Sequence, residues 1–298
     1  MTPEQALRRC LSETPLLAER PPEAWHAIRL PGLTNTNWRL RADGQDLVLR
    51  IPGSSSKRYL SREQEMHNAG LAAELGIAPP LLYADPASGV TVQKFLADAR
   101  SLTPADFAEP ETLRKIGALL AQLHRSDRRF EGSMAPFPII DTYLGLASDA
   151  RLLDLRRRAE PIRAVLEGRP MSLVPSHIDP NSSNFLLRSD GRLLLIDWEF
   201  SAMAEPAWDL AAVVIEANIG SAVEALFQGY GGRPDAAERC RLWLMRAALY
   251  LVAGSWTFAE IAGGNPAQSL PALLDSLLSG LEAMLADPEL PRYLGQAA

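Results

Sequence analysis

The stretch VPSHIDPNSSNFLLRSDGRLLLIDWEFSAMAEPAWDLA, residues 174–211, decides how the chain folds and what chemistry it carries. His177, Asp179 and Asn184 read H-x-D-x-x-x-x-N, and Asp197 closes the apolar run Leu193-Leu194-Leu195-Ile196. Between them lies the turn Ser189-Asp190-Gly191, with apolar residues on both sides. Such a pattern reads as a hairpin. Asp179 and Asn184 then lie on a loop entering one strand, and Asp197 lies where the next strand ends. The hairpin brings the ends of the stretch together, so three oxygen-bearing side chains share one small volume.

That set suits phosphoryl transfer to an alcohol. Mg²⁺ takes hard oxygen ligands and is commonly held by one or two protein groups plus phosphates. Asn184 and Asp197 can supply those groups, and Asp179 can accept the proton of an attacking hydroxyl. The spacing parallels the protein-kinase catalytic loop and metal-binding aspartate, with two departures. Ile178 stands where H-R-D has arginine, and D-F-G reads Asp197-Trp198-Glu199. Without that arginine, activation by loop phosphorylation is not expected.

H-x-D-x-x-x-x-N, I-D-W-E and W-D-L-A together resemble the aminoglycoside phosphotransferase and choline kinase superfamily. The string Gly32-Leu33-Thr34-Asn35-Thr36-Asn37, followed by Val48-Leu49-Arg50-Ile51-Pro52-Gly53, looks like bacterial choline and ethanolamine kinases in particular. The resemblance implies a two-lobed α+β kinase-like fold. Residues 1–96 would form a small antiparallel-sheet lobe for the nucleotide, and residues 97–298 a larger, mostly helical lobe for catalysis and the acceptor. It implies ATP and Mg²⁺ as cofactors, Asp179 as the catalytic base, and Asn184 and Asp197 as metal ligands. Nucleotide contacts would come from Gly32, Thr34, Asn35, Thr36, Asn37 and Arg50. Arg50 falls where kinases keep a phosphate-binding lysine. Glu65, or the neighbouring Glu63, would orient it. Gly32 could let backbone N–H groups approach a phosphate; a plain inter-strand turn is the alternative.

Composition sets outer bounds. The 298 residues suit one or two domains, and 47% hydrophobic with 22% charged residues describe an ordinary globular protein. The net charge of −6 and pI near 5.4 argue against nucleic acid or anionic membrane as partners and permit a cationic substrate. Cys10 and Cys240, with no apolar core in the first residues, point to a reducing cytoplasm. The longest apolar run, residues 242–258, is interrupted by Arg246 and reads as a buried helix rather than a membrane-inserting one.

Helices are expected over residues 3–13, 61–75, 110–125, 149–167, 208–217, 221–230, 235–262 and 267–286. Strands are expected at 38–41, 46–51 and 90–96, the first two joined by an Asp43-Gly44 turn. Gly263-Gly264-Asn265-Pro266 is the clearest helix break. Arg151, Arg156, Arg157 and Arg158 read as a solvated face. His124 reads as structural, and Asp209 as support for the catalytic loop.

The acceptor is expected to be a small alcohol, cationic in the leading case, between the catalytic loop and the late helices. Ring faces and a carboxylate suit a quaternary ammonium. By the resemblance, Phe200 and Trp256 would face it, with Glu260 near Trp256. Trp243 and Tyr250 read as core packing. Choline kinases commonly carry a late Asp-Phe-x-x-Tyr-Ala-like segment that is replaced here by GGNPAQSLPALLDSLL. Choline or ethanolamine leads; thiamine, an aminoglycoside and homoserine are rivals of the same fold. A nucleotide-binding pseudokinase is the non-enzyme rival, disfavoured because Asp179, Asn184 and Asp197 are all intact.

Overall fold

The structure is a computed structural model that describes residues 2–32, 35–53, 60–217 and 222–297. Helix α1 (Pro3–Glu13) starts on a capping box between Thr2 and Gln5. With α2 (Pro15–Ala18) it lays Leu7, Leu11 and Leu17 against a five-stranded antiparallel sheet. The strands are β1 (His26–Leu30), β2 (Thr36–Ala42), β3 (Gln45–Ile51), β4 (Leu81–Asp85) and β5 (Val90–Lys94), in the order β1-β2-β3-β5-β4. Asp43 and Gly44 join β2 to β3 with φ of 44° and 79°, the two-residue turn whose twist matches the strands. Alternation along β3 does the sorting: Leu47 and Leu49 enter the core beneath α1, while Val48 and Arg50 face the opposite side and line a cavity.

Helix α3 (Arg62–Glu74) is capped by Ser61, whose hydroxyl accepts the Gln64 N–H. It is shared between the two halves: Ala69 and Ala72 join the second hydrophobic cluster, while Glu65 reaches Arg50 of the sheet. The rest of the chain is mainly helical. β6 (Ala99–Ser101) leads to α4 (Pro110–His124), α5 (Pro136–Leu146), α6 (Ala150–Arg158) and α7 (Glu160–Gly168). Then come β7 (Val174–Ser176), β8 (Phe185–Arg188), β9 (Leu193–Leu195) and β10 (Ala202–Ala204). The last helices are α8 (Pro206–Ala217), α9 (Ala222–Tyr230), α10 (Ala236–Ala262), α11 (Leu270–Leu285) and α12 (Leu290–Ala297).

Two expectations change. Residues 149–167 are two helices: Pro161 stands in the first turn of α7, where its missing N–H is harmless, and Ala159 turns the chain. The arginines there are not one solvated face. Arg156 bonds Asp141 and Glu160 and lies over the Phe137 ring, and Arg151 clamps Glu282, whereas Arg157 stays largely in water. Helix α10 is long and apolar enough to cross a membrane, yet most of it is buried in protein. Its Arg241 is neutralised by Glu205 at 2.6 and 2.9 Å.

Helices α4 and α9 cross unusually closely. A Cβ on Gly117 would fall onto the Leu226 carbonyl oxygen, and one on Gly229 onto the Arg114 carbonyl oxygen. Backbone cannot step aside as a side chain can. In an open helix Gly→Ala stabilises by about 0.5–1 kcal/mol; here Gly117→Ala should instead lower unfolding free energy by about 1–3 kcal/mol, the range for overpacking. Urea denaturation reads the sign, and a raised midpoint would mean the crossing has room.

Candidate active site

The hairpin expected around residues 189–191 is formed by β8 and β9, with Gly191 at φ 82° in the turn. The Ile196 N–H donates to the Asn184 carbonyl at 2.9 Å, which sets Asp197 beside the loop that carries Asp179. That loop leaves β7 through Ile178, a β-branched residue at φ 76°. Such a conformation stores roughly 1–3 kcal/mol of strain and persists only where the surroundings impose it. Here Asp209 imposes it. Its two carboxylate oxygens accept the N–H groups of His177 and Ile178, each at 2.8 Å. The Trp208 ring N–H donates to the Ile178 carbonyl at 2.9 Å.

Asp209 is itself fully buried. Burial alone would raise its pKa, but the hydrogen bond from His124 and the facing histidine and amide groups hold it below the ordinary value. An ionised Asp209 only accepts, so His124 Nε2 donates to it at 3.1 Å, and His124 Nδ1 shares a hydrogen bond with the Tyr230 hydroxyl at 2.9 Å. His177 Nε2 donates to the Ile196 carbonyl at 2.9 Å, and burial pushes its pKa down. Both histidines thus serve as hydrogen-bonding braces.

Asp179 sits at the loop tip. Its Oδ2 accepts from Asn181 at 3.0 Å and from Asn184 at 3.2 Å, and Asn184 also donates to the Asp179 carbonyl at 2.9 Å. The Asn184 amide N–H₂ is therefore spent on Asp179, which leaves its oxygen as the ligand atom it can offer. Burial pushes the Asp179 carboxyl up to about 7, against the pull of the Asn181 bond, and the charges of Asp197 and Glu199 add to the rise. Asp197 is also raised, first by burial, with Arg50 opposing. Asp197 adopts a left-handed conformation, φ 66° and ψ 63°, and its buried Oδ1 makes no hydrogen bond within the described protein.

Above this floor lies an ion cluster. Arg50 donates to Glu65 and to Glu199, the latter at 2.7 Å, and stands 3.3 Å from Asp197. Arg62 bonds Glu65 at 2.6 Å and approaches Glu199 at 3.3 Å. Burial disfavours the Arg50 charge, but Asp197, Glu65 and Glu199 outweigh that and raise its pKa. Of the two glutamates left open by the sequence, Glu65 is the partner, since Glu63 is exposed on the other side of α3. Asn35 donates to Glu199 at 3.0 Å. Gly32 lies close against the chain that follows: a Cβ there would strike the Asn35 carbonyl, and Asn37 bonds the Pro31 carbonyl at 3.1 Å. Gly32 and Asn37 line the cavity, Thr36 pairs with Ile51 in the sheet, and Thr34 lies outside the described residues.

One cavity of about 980 Å³ joins these groups. At one end Val48, Arg50 and the strand exit Lys94-Phe95-Leu96 border it. In the middle lie Asp179, Asn184 and Asp197. At the other end α8 contributes Trp208, Ala212, Ile215 and Glu216, and α10 contributes Leu249, Val252, Ala253 and Trp256, both at helical spacing. Phe200 and Trp256 both line the cavity. Trp243 and Tyr250 do not: Trp243 stacks on Tyr293 with ring centroids 4.4 Å apart, and Tyr250 packs beneath Gly280. Glu260 is turned away and bonded to Asn265 at 2.8 Å. The α8 carboxylate at the cavity is Glu216, which accepts from Ser182 at 2.7 Å. Sequence reasoning missed it, although it is the lone charge in Leu210–Ala217.

The donor set fits Mg²⁺. It comprises a carboxylate whose buried Oδ1 makes no hydrogen bond and lies 3.3 Å from Arg50, and a neutral amide oxygen, which would hold one cation alongside phosphates. Arg50, an always-charged fork, can answer phosphate bidentately.

The fold and site are those of a kinase-like protein. Residues 26–243 match the phosphotransferase enzyme family (APH), so the chain belongs to that family. Protein LicA of Haemophilus influenzae is 28% identical over 228 residues, covering 71% of this chain and 66% of LicA. Thiamine kinase of Escherichia coli is 27% identical over 187 residues, covering 62% and 64%. The chain thus spans about two thirds of the length of these relatives. A choline/ethanolamine kinase family protein from Mesorhizobium loti superposes with TM-score 0.85 at 32% identity over 99% of both chains. Choline kinase LicA from Streptococcus pneumoniae superposes at 0.81 with 22% identity over 94% and 99%, a likeness of fold.

The raised Asp179 pKa has a consequence for stability. An unfolded Asp titrates near 3.9, and the folded one near 7. The folded state therefore binds the proton more tightly, and stability falls as pH rises through that window. Asn is isosteric and still accepts from Asn181 and Asn184. In metal- and nucleotide-free protein, Asp179→Asn should melt higher than wild type at pH 8, with the gap closing towards pH 5. Equal melting temperatures across that range would contradict the desolvation of Asp179.

Proposed function

We propose that this protein is an ATP- and Mg²⁺-dependent kinase that phosphorylates the hydroxyl of a small cationic alcohol, choline or ethanolamine first. The observation that carries the reading is one cavity whose contacts run from Arg50 to Asp197, on to Asn184 and Asp179, and through Ser182 to Glu216, with Trp208, Trp256 and Phe200 in its lining. A basic group for phosphates, a carboxylate between, and an acidic aromatic-lined end match donor, base and cation in sequence.

In this reading the adenine lies near the Lys94-Phe95-Leu96 strand exit and the phosphates near Arg50 and the Gly32 turn. Asn184 and Asp197 hold Mg²⁺, which when bound neutralises phosphate charge. Arg50 is already engaged by three carboxylates, so nucleotide must share or displace them; Glu65 fixes one nitrogen of the guanidinium while the other turns to phosphate. Asp179 accepts the hydroxyl proton as the acceptor oxygen bonds to the γ-phosphorus. The bond from that phosphorus to the bridging oxygen breaks, and ADP leaves. A pKa near 7 suits a base working at neutral pH.

The acceptor end favours a quaternary amine over a primary one. Trp208, Trp256 and Phe200 are in the lining, and ring faces can replace the weak hydration of a permanent cation. Thiamine, also a permanently cationic alcohol, is the second reading, supported by the thiamine kinase relative. The two buried or half-buried thiols, Cys10 and Cys240, accord with a cytoplasmic setting.

An acceptor panel scored by ADP release tests the reading: choline should exceed ethanolamine, and both should exceed thiamine, homoserine and an aminoglycoside. No release above the water background from any of them would sink it. Asp179→Asn should lower kcat at least a hundredfold, the lower range for general-base help, with ATP affinity unchanged. Asp197→Ala should abolish the Mg²⁺ dependence of nucleotide binding by calorimetry. Trp256→Ala, Phe200→Ala and Glu216→Gln should each raise the choline KM several-fold and spare the KM for ATP; a shift in the ATP value instead would relocate these residues to the nucleotide.

A further inference from the structure

Helix α11 carries more apolar surface than its packing uses. Leu270, Leu278 and Leu281 are buried, and Leu278 packs where Gly254 of α10 leaves room. That stripe anchors the helix. Leu273 and Leu277 form a second stripe, one turn apart, on another part of its surface. Both line the same cavity as Glu216 and Trp256, and Leu273 remains 39% exposed. With Leu249, Val252 and Ile215 they extend the acceptor end into an aliphatic wall that carries no charge of its own. A compact quaternary ammonium needs only the carboxylate and the nearby rings. Leucines in the lining of the same cavity suit something apolar attached to the cation.

We infer that the acceptor site accommodates an alkylammonium alcohol with an apolar substituent on its nitrogen, laid along Leu273 and Leu277 of α11. This rests on the reading of the cavity as a cationic-acceptor site and narrows its substrate class. The cation stays at Glu216 and the rings, the hydroxyl reaches Asp179, and the substituent points away from the reacting end. Each methylene removed from water on that wall contributes about 0.8 kcal/mol, or three- to fourfold in affinity when burial is complete. Leu273 and Leu277 are thus specificity-determining residues remote from the chemistry.

The test uses alkyltrimethylammonium ions, which carry the cation, lack a hydroxyl and cannot be phosphorylated. Calorimetry on wild type with the methyl, propyl, butyl and hexyl members should show Kd tightening by about two- to fourfold per methylene. Leu273→Asn should weaken this dependence, and Leu273→Asn with Leu277→Asn should flatten it. Leu273 is exposed enough for its replacement to leave the fold intact, so the single variant stands as a check on the double one. A flat series in wild type, absence of binding, or a gradient that survives both variants would overturn the inference. ADP release from alcohols is scored separately. Release with a flat series removes the inference and keeps the kinase reading; a steep series without release removes the kinase reading and, with it, the inference that rests on it.

Discussion

Everything at the centre of this molecule hangs on one buried carboxylate. Asp209 accepts two consecutive backbone N–H groups from the loop that carries Asp179. Those two bonds hold Ile178 where a β-branched residue would not otherwise rest. The strain has a use. It turns the chain sharply between His177 and Asp179, so that the histidine faces the core and the aspartate faces the cavity. Remove the carboxylate and three buried donors, the two amides and His124 Nε2, lose their partner, at about 1–3 kcal/mol each. The loop then has no reason to keep its shape.

The opposite wall of the cavity is held by charge rather than backbone geometry. Arg50, on the sheet, meets Glu65 on α3 and Glu199 just past the β9 strand. Glu199 is 149 residues from Arg50, so the cluster joins both halves of the protein. Buried ion pairs contribute little net stability against apolar replacements, but breaking one member leaves an uncompensated charge. The cluster therefore fixes where the sheet sits over the catalytic loop more than it strengthens the fold. Asn35 joins it through Glu199, so the turn at Gly32 is tied to the same centre.

Much of this was legible in the sequence, for identifiable reasons. The hairpin between Asn184 and Asp197 announces itself through Gly191 and two apolar runs, and the Asp43-Gly44 turn through its dipeptide. Those are local signals with local causes. Glu65 against Glu63 was not legible, because two neighbours on a helix differ only by which way α3 rolls over the sheet. Glu216 was hidden for a similar reason: a lone charge in an apolar helix says that something meets it, not what. The split at Pro161 was written in the chain, since proline in a first turn marks a start, yet the apolar periodicity ran through it. Helix α5 opens with Pro136 and Pro138, which disguise a helix as a loop.

The crossing of α4 and α9 reaches further than its own neighbourhood. Gly117 and Gly229 let the two backbones touch, and that sets the height of Tyr230 at the end of α9 against His124 at the end of α4. His124 in turn braces Asp209. A rigid linkage of four contacts thus runs from a glycine seam to the base of the catalytic loop, with no soft joint to absorb an error. In evolutionary terms the seam behaves as a gauge block. Drift there is read out as displacement of Asp179, so two glycines outside the cavity lining help set where that carboxylate stands.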